Sequence, residues 1–323
     1  VNDGQCRVRC LALAAAFVLL GCGAARSEAQ VDEASAPRRW EVHAATGLLY
    51  DSNVALDPSG QRVPGTVAQP ADGGGVFSAG GSVDVVKSDR TQVGFEYELY
   101  QTLHFRLKSY NLRSNRMQGT VGYALLPEVW VGTQAGYQRY GLGGNGYSSE
   151  PFVTPFASVI ESGWGLTQVL YRHGNITYLS PPFEDVRDGP TDAASLSQTI
   201  YWGTKTATLG YEWGRERPTS NAGADYRYRY NQVYAGIGFT PGWKSSVELV
   251  YLFRYENYTE PNSFAADQKR RQDDISQFSF TVERPIAPHV AVALSYYGTF
   301  DNSNIDVFQY NRSIVQAELR FSY

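Results

Sequence analysis

The reading of the fold turns on the last stretch of the chain, SIVQAELRFSY, residues 313–323. Val315, Ala317, Leu319, Phe321 and Tyr323 are apolar, while Gln316, Glu318, Arg320 and Ser322 between them are polar. A period of two marks a strand with one oily face and one wet face. The apolar face runs to an aromatic at the final position, where domains usually trail off in loose polar residues.

The same alternation recurs upstream. It predicts strands near 40–50, 75–87, 91–104, 114–125, 128–140, 151–161 and 164–178, then 192–203, 206–217, 226–240, 243–258, 272–284, 289–301 and 307–323. There are fourteen, each long enough to match the about 9–11 tilted residues that cross a bilayer as β-structure. Their connections alternate in length. Lys87–Arg90, Leu126-Pro127, Ser162-Gly163, Gly203–Lys205, Pro241-Gly242 and Arg284–Pro288 are short. Asp51–Gly74, Arg106–Arg113, Gly141–Glu150, Leu179–Thr191, Pro218–Asp225, Thr259–Arg271 and Asn302–Asp306 are longer and polar.

Short turns on one side and long loops on the other are the habit of outer-membrane barrels. The expected fold is therefore all-β: a transmembrane antiparallel up-and-down barrel of about 14 strands, with both termini periplasmic. The strand at 40–50 should close on that at 307–323, because an open edge in lipid leaves backbone groups unpaired. Asp51–Gly74, the longest link, is a candidate constriction or lid. A soluble sandwich or propeller would also alternate, but it has no reason to segregate its links, and no blade-length repeat is visible.

Residues 1–29 read as a signal peptide: Arg7 and Arg9, an apolar run from Cys10 to Gly21, then small residues ending at Ser27-Glu28-Ala29. Two exits compete. Ala29 before Gln30 suits ordinary cleavage, whereas Leu19-Leu20-Gly21-Cys22 looks like a lipoprotein box. Residues 30–39 form a polar periplasmic linker, and 40–323 the barrel. The three cysteines, Cys6, Cys10 and Cys22, all lie within the leader, so cleavage after Ala29 removes any basis for a disulfide or thiolate metal site. Removing the leader takes three arginines and two acids from the 28 basic and 32 acidic residues, leaving a net charge of −5. That acidity argues against a nucleic-acid partner. No apolar run after residue 29 approaches membrane-helix length, but barrels hide their hydrophobicity by alternation.

Trp40, Trp130, Trp164, Trp202 and Trp243 fall at the predicted periplasmic ends of strands and form a candidate aromatic girdle; Trp213 does not. Parity assigns Val93, Phe95, Tyr97, Leu99, Leu209, Tyr211, Val247, Leu249, Tyr251, Phe253, Val290, Val292 and Leu294 to lipid. The opposite face then presents Glu96, Glu98, Glu212, Glu248, Arg254, Glu256, Glu318 and Arg320 to the lumen. Such charges form mutual ion pairs in many barrels; if they line a pathway, their acidity favours cations or neutral solutes over anions.

A catalytic reading has little to rest on. His43 and His289 fall at the periplasmic end and His104 and His173 near the outer end, the latter pair with Asp185, Asp188 and Asp192 nearby. No nucleophile motif or metal-ligand spacing occurs, so no catalytic residue, metal or cofactor is expected. The related stretches 50-YDSNV-54 and 300-FDNSN-304 carry turn residues, with a Ca²⁺ site as the rarer alternative. The glycine-rich 141–149 and 72–75 read as loop tips.

The YDSNV stretch and the final hairpin, ALSYYGTFDNSNIDVFQYNRSIVQAELRFSY, resemble a broad set of outer-membrane barrels. That set includes exopolysaccharide-export barrels and surface lipoprotein assembly modifiers. The resemblance implies a pore or export channel, with surface-polysaccharide secretion as one pathway and lipoprotein assembly, or a structural or adhesive barrel, as alternatives. It departs in two respects: residues 30–39 leave no room for a periplasmic tetratricopeptide domain, and the lumen is rich in Glu where alginate-type exporters carry Arg and Lys. The terminal stretch resembles the signal read by the barrel-assembly machinery, with Leu319, Phe321 and Tyr323 on its apolar face. Expected partners are outer-membrane lipid and lipopolysaccharide, that machinery during biogenesis, and periplasmic secretion components for an export role.

Overall fold

A computed structural model describes residues 39–59, 67–242, 244–263, 265 and 267–323. The signal peptide, the linker before residue 39 and Trp243 lie outside the described residues. The described chain forms one closed antiparallel barrel in which each strand pairs with its sequence neighbours and β1 pairs with β14. The strands are β1 (Trp40–Asp51), β2 (Asp72–Lys87), β3 (Thr91–His104), β4 (Leu112–Leu126), β5 (Val129–Leu142), β6 (Asn145–Glu161) and β7 (Gly165–Tyr178). They continue as β8 (Gly189–Trp202), β9 (Lys205–Glu216), β10 (Tyr228–Phe239), β11 (Ser246–Pro261), β12 (Arg270–Ala287), β13 (Val290–Ser303) and β14 (Tyr310–Ser322).

All fourteen strands stand where alternation places them, and several run further at the long-loop end. The expected loop over Gly141–Glu150 is instead a tight hairpin, with β5 paired to β6 up to Leu142 and Asn145. Gly143 and Gly144 make the reversal at φ +59° and +89°, a conformation open to glycine at no steric cost. The remaining links at that end, among them 52–71, 179–188 and 217–227, are long.

Alternation sorts the side chains as the sequence suggests. Leu48, Leu209 and Leu319 are 65%, 61% and 53% exposed on the outward face, alongside Phe95, Tyr97, Tyr211, Tyr251 and Leu294. A soluble monomer rarely carries so continuous an apolar belt. In a bilayer it is the face that lipid covers, and closure leaves no ladder edge unpaired there. The barrel is thus a transmembrane one, even though no helix among the described residues is long and apolar enough to cross.

The seam engages the chain from Ile314 through Tyr323. Tyr50, Leu48, Thr46 and Ala44 on β1 face Val315, Ala317, Leu319 and Phe321 on β14. The Tyr323 N–H donates to the Val42 carbonyl (2.9 Å), and the Val42 N–H to the Tyr323 carbonyl (3.1 Å). The Tyr323 ring lies between Trp40 and His289, at centroid distances of 5.4 and 4.9 Å. At Gly47 the β14 backbone of Ala317 and Glu318 occupies the space that a Cβ would need. Gly47→Val should therefore overpack the seam, costing about 1–3 kcal/mol. The check is the temperature at which the unboiled barrel loses its compact mobility on gels, which should fall; an unchanged transition would show that the seam tolerates a side chain.

Candidate functional site

The inward side chains divide the lumen into two levels. At the long-loop end the interior is packed. Segment 52–59 leaves β1 and turns into the barrel, burying Val54 to 1% and Leu56 to 4% exposure. They join Tyr110, Leu112, Tyr140, Tyr147, Tyr178, Phe183 and Tyr310, contributed by strands and loops around the wall. The cavity left beside this plug, between Asp51, Tyr100, His104 and Arg312, is only about 20 Å³.

The YDSNV stretch makes the turn. Tyr50 faces outward, whereas Asp51 faces inward and takes the Arg312 guanidinium through both carboxylate oxygens, including Nε at 3.1 and 3.0 Å. Both are almost wholly buried. The Asn53 N–H donates to Asp51 Oδ1 (3.0 Å), and Asn53 Nδ2 donates to the carbonyls of Asp57 (2.9 Å) and Asn311 (3.0 Å). Asp57 returns the contact through its N–H to Asn53 Oδ1 (2.8 Å). These are the backbone-satisfying bonds that Asp and Asn make in turns. In the FDNSN stretch Asn304 likewise donates to the Arg270 carbonyl (2.9 Å) and accepts from the Gln272 N–H (2.9 Å).

A second fastener holds loop 179–188. Arg187 donates to Glu216 (2.9 Å) and lies over the rings of Tyr178 and Tyr226 at 4.8 and 4.7 Å. Burial works against its charge, but Tyr178 and Glu216 outweigh that and hold its pKa above the ordinary guanidinium value. Arg271 continues the belt, paired with Asp273 at 2.5 Å and stacked on Phe308 at 3.7 Å.

Toward the short-turn end the lumen is polar and less filled. Glu98 meets His43 (2.9 Å) and Glu96 accepts from Gln118 (2.9 Å). Arg320 bridges Glu318 and Glu283, each at 2.8 Å, and Glu248 is exposed to the lumen. Arg254 and Glu256, 3.5 Å apart, belong instead to the packed level toward the long loops, as does Glu212, which accepts from Tyr230 (2.8 Å) and shares a register row with Gln232 and Arg254. The eight candidates share the inward parity but form two groups. Among the described residues of the inner level, carboxylates outnumber cations.

Two expectations require correction. Trp40, Trp164 and Trp202 are exposed at the short-turn end, as a girdle requires. Trp130 is not in that ring: its register partners Ala124 and Ser158 face inward, and its indole lies over Gly122 beside Phe156. A register shift between Ala124 and Leu126 marks the same rim. His104 and His173 cannot share a site, because His104 is buried inside while His173 stands outside the wall against Asp192 (2.9 Å).

The sequence does not single out the Asp51–Arg312, Arg187–Glu216 or Arg271–Asp273 pairs. The available signal was tyrosine at inward positions near the outer ends of several strands, as at Tyr140, Tyr178, Tyr228, Tyr258 and Tyr310.

No family model and no curated protein matches the sequence. Solved structures do. A Pseudomonas aeruginosa FadL homologue is 10% identical with a TM-score of 0.49, the match covering 88% of this chain and 90% of that one. The anion-selective porin from Comamonas acidovorans is 8% identical with a TM-score of 0.49, covering 88% and 98%. Acinetobacter baumannii OccAB3 is 8% identical with a TM-score of 0.47, covering 88% and 99%. These likenesses concern general architecture and carry nothing about this chain's cargo.

Arg312→Met should leave Asp51 buried without its counter-charge and cost about 3–5 kcal/mol, whereas Asp51→Asn with Arg312→Met should recover much of that loss. Denaturant unfolding of the three proteins in detergent checks the order; a double variant no better than the single would deny the pair its role.

Proposed function

We propose that the protein is an outer-membrane channel, closed at rest at its long-loop end by segment 52–59, with an inner vestibule that favours cations or neutral solutes. The long loops would face the outside and both termini the periplasm. The observation that carries the reading is that loop residues, rather than wall residues alone, fill the outer lumen around Val54 and Leu56. A segment held by a handful of hydrogen bonds, among them Asn53 to the Asn311 carbonyl and the Ser59 N–H to the Gln309 carbonyl, can leave, whereas the continuous ladder of the wall cannot.

Energetics set how often it leaves. Burial of Val54 and Leu56 contributes about 1.5–3 kcal/mol each, so opening against these two alone has an equilibrium constant of about 10⁻² to 10⁻⁴. Leu56 sits at φ +54°, a backbone region that a branched side chain rarely takes. Strain of that kind costs about 1–3 kcal/mol and occurs at switch segments.

The inner carboxylates support discrimination against anions. An acidic polysaccharide would meet Glu96, Glu98 and Glu248, so a polysaccharide-export role has no support from this lumen, and no observation favours lipoprotein assembly. Single-channel recording tests the proposal. The native barrel should be mostly shut with brief openings, and Val54→Asp with Leu56→Asp should raise the open fraction at least tenfold with cation-selective current. A doubly substituted barrel that is folded and still silent would instead favour a structural or adhesive barrel without a through-channel.

We further propose that Leu319, Phe321 and Tyr323 are read by the barrel-assembly machinery, after secretion directed by residues 1–29. Phe321→Asp with Tyr323→Asp should then leave the chain in the periplasm. Membrane fractionation checks this, and normal insertion of that variant would refute it.

A further inference from the structure

The outward face carries a charge pattern that the channel reading does not use. Asp192 on β8 has outward parity, yet its side chain is only 4% exposed because four neighbours cover it. Oδ1 accepts from the Tyr171 hydroxyl (2.7 Å) and meets His173 Nδ1 (2.9 Å). Oδ2 accepts from Arg215 Nε (2.9 Å) and Arg217 Nη2 (3.0 Å). One carboxylate thus gathers two guanidinium groups and an imidazole on the outside of the wall. The arginines spend one donor each on it and keep the rest of their five.

Neighbouring strands extend the patch. Arg229 on β10 is the register partner of Arg215, and Arg139 on β5 and Arg113 on β4 share the outward parity. All three are exposed and make no ion pair among the described residues. From β4 to β10 this rim therefore presents Arg113, Arg139, His173, Arg215, Arg217 and Arg229 against Asp192. Past β10 the same row continues through Asn257 on β11 to Gln272 on β12, and Arg270, the next outward position above Gln272, is the single arginine that β11 and β12 add at that height.

Height identifies what the patch faces. Below Arg215 on the same face come Trp213, Tyr211 and Leu209; below Asp192 come Ala194 and Leu196; below Arg229 come Asn231 and Val233. The cations stand one or two outward positions above the apolar belt, just past the aromatics that mark a membrane interface. Side chains at that level meet lipid headgroups. Guanidinium groups with open donors are suited to phosphate, which they bind through paired charge-assisted hydrogen bonds.

We propose that the β4–β10 rim binds the phosphates of a phosphorylated glycolipid in the leaflet at the long-loop end, with Asp192 holding Arg215 and Arg217 in position. This rests on the wall spanning the membrane and is independent of whether the lumen conducts. The test uses the full-length barrel in detergent, with native mass spectrometry against bisphosphorylated lipid A and its dephosphorylated form. The variant is Arg215→Gln with Arg217→Gln and Arg229→Gln, all at the surface, with heat-modifiable gel mobility as the control for folding.

Bisphosphorylated lipid should remain bound to the native barrel at least tenfold better than to the folded variant. Dephosphorylated lipid should bind both equally poorly, and millimolar inorganic phosphate should not displace the glycolipid. Equal retention by the folded variant, or equal binding of both lipids to the native barrel, would overturn the proposal. Displacement by inorganic phosphate would show a soluble anion site and overturn the lipid assignment. Should the variant fail to fold, the comparison of the two lipids on the native protein decides alone.

Discussion

The constraint on which everything else depends is that backbone N–H and C=O groups inside a bilayer have no water to turn to. An antiparallel sheet meets it only by closing on itself, so the pairing of β1 with β14 is the condition for the rest of the wall. Tyr323 still exchanges backbone hydrogen bonds with Val42, and its ring fills the corner between Trp40 and His289.

Closure creates a second problem, the interior. Eight strands can be filled by wall side chains alone, and more strands enclose space. Here the two ends of the lumen are treated differently. The level at the long-loop end is filled with tyrosines, Arg–acid pairs and an inward loop, and the level at the short-turn end carries polar side chains in which carboxylates outnumber cations. Buried ion pairs such as Asp51–Arg312 are weak contributors to net stability, but removing one member is costly. Arg187 acts as a fastener more than as a source of stability, tying loop 179–188 to Glu216 on β9, whereas Asp51–Arg312 reinforces the β1–β14 seam that the ladder already joins.

Much of this was legible in the sequence because the side-chain period of a strand is two and lipid tolerates few exceptions. All fourteen strands, the closing pair and the inward parity of Glu96, Glu98, Glu212, Glu248 and Arg320 follow from alternation alone. What failed is instructive. Trp130 reads as a girdle residue from its type and its place at a strand end, but parity near a bulged rim governs direction, and it faces inward. Gly141–Glu150 looked like a loop because glycine and serine are common in loops, while two of its glycines make a tight hairpin. The plug was legible only as an unusually long link with turn residues at its start. Its buried position depends on tyrosines drawn from strands far apart in sequence, which no local pattern connects.

The segment Arg215-Glu216-Arg217 shows how closely the two faces are joined. Alternation sends Arg215 and Arg217 outward to Asp192 and sends Glu216 inward to Arg187. Three consecutive residues therefore serve the rim that faces the headgroups and the fastener that holds a mouth loop. A strand is stiff along its length, so the outer and inner contacts cannot be moved separately by sliding β9. Any change in register or height that suits the arginines to a headgroup displaces Glu216 by the same amount. Separation of the two roles would require a bulge between positions 215 and 217, and the ladder there is regular: Arg215 pairs with Arg229, and Glu216 with Tyr228. The end of β9 nearest the long loops is therefore fixed on both sides, by Asp192 outside the wall and by Arg187 inside it.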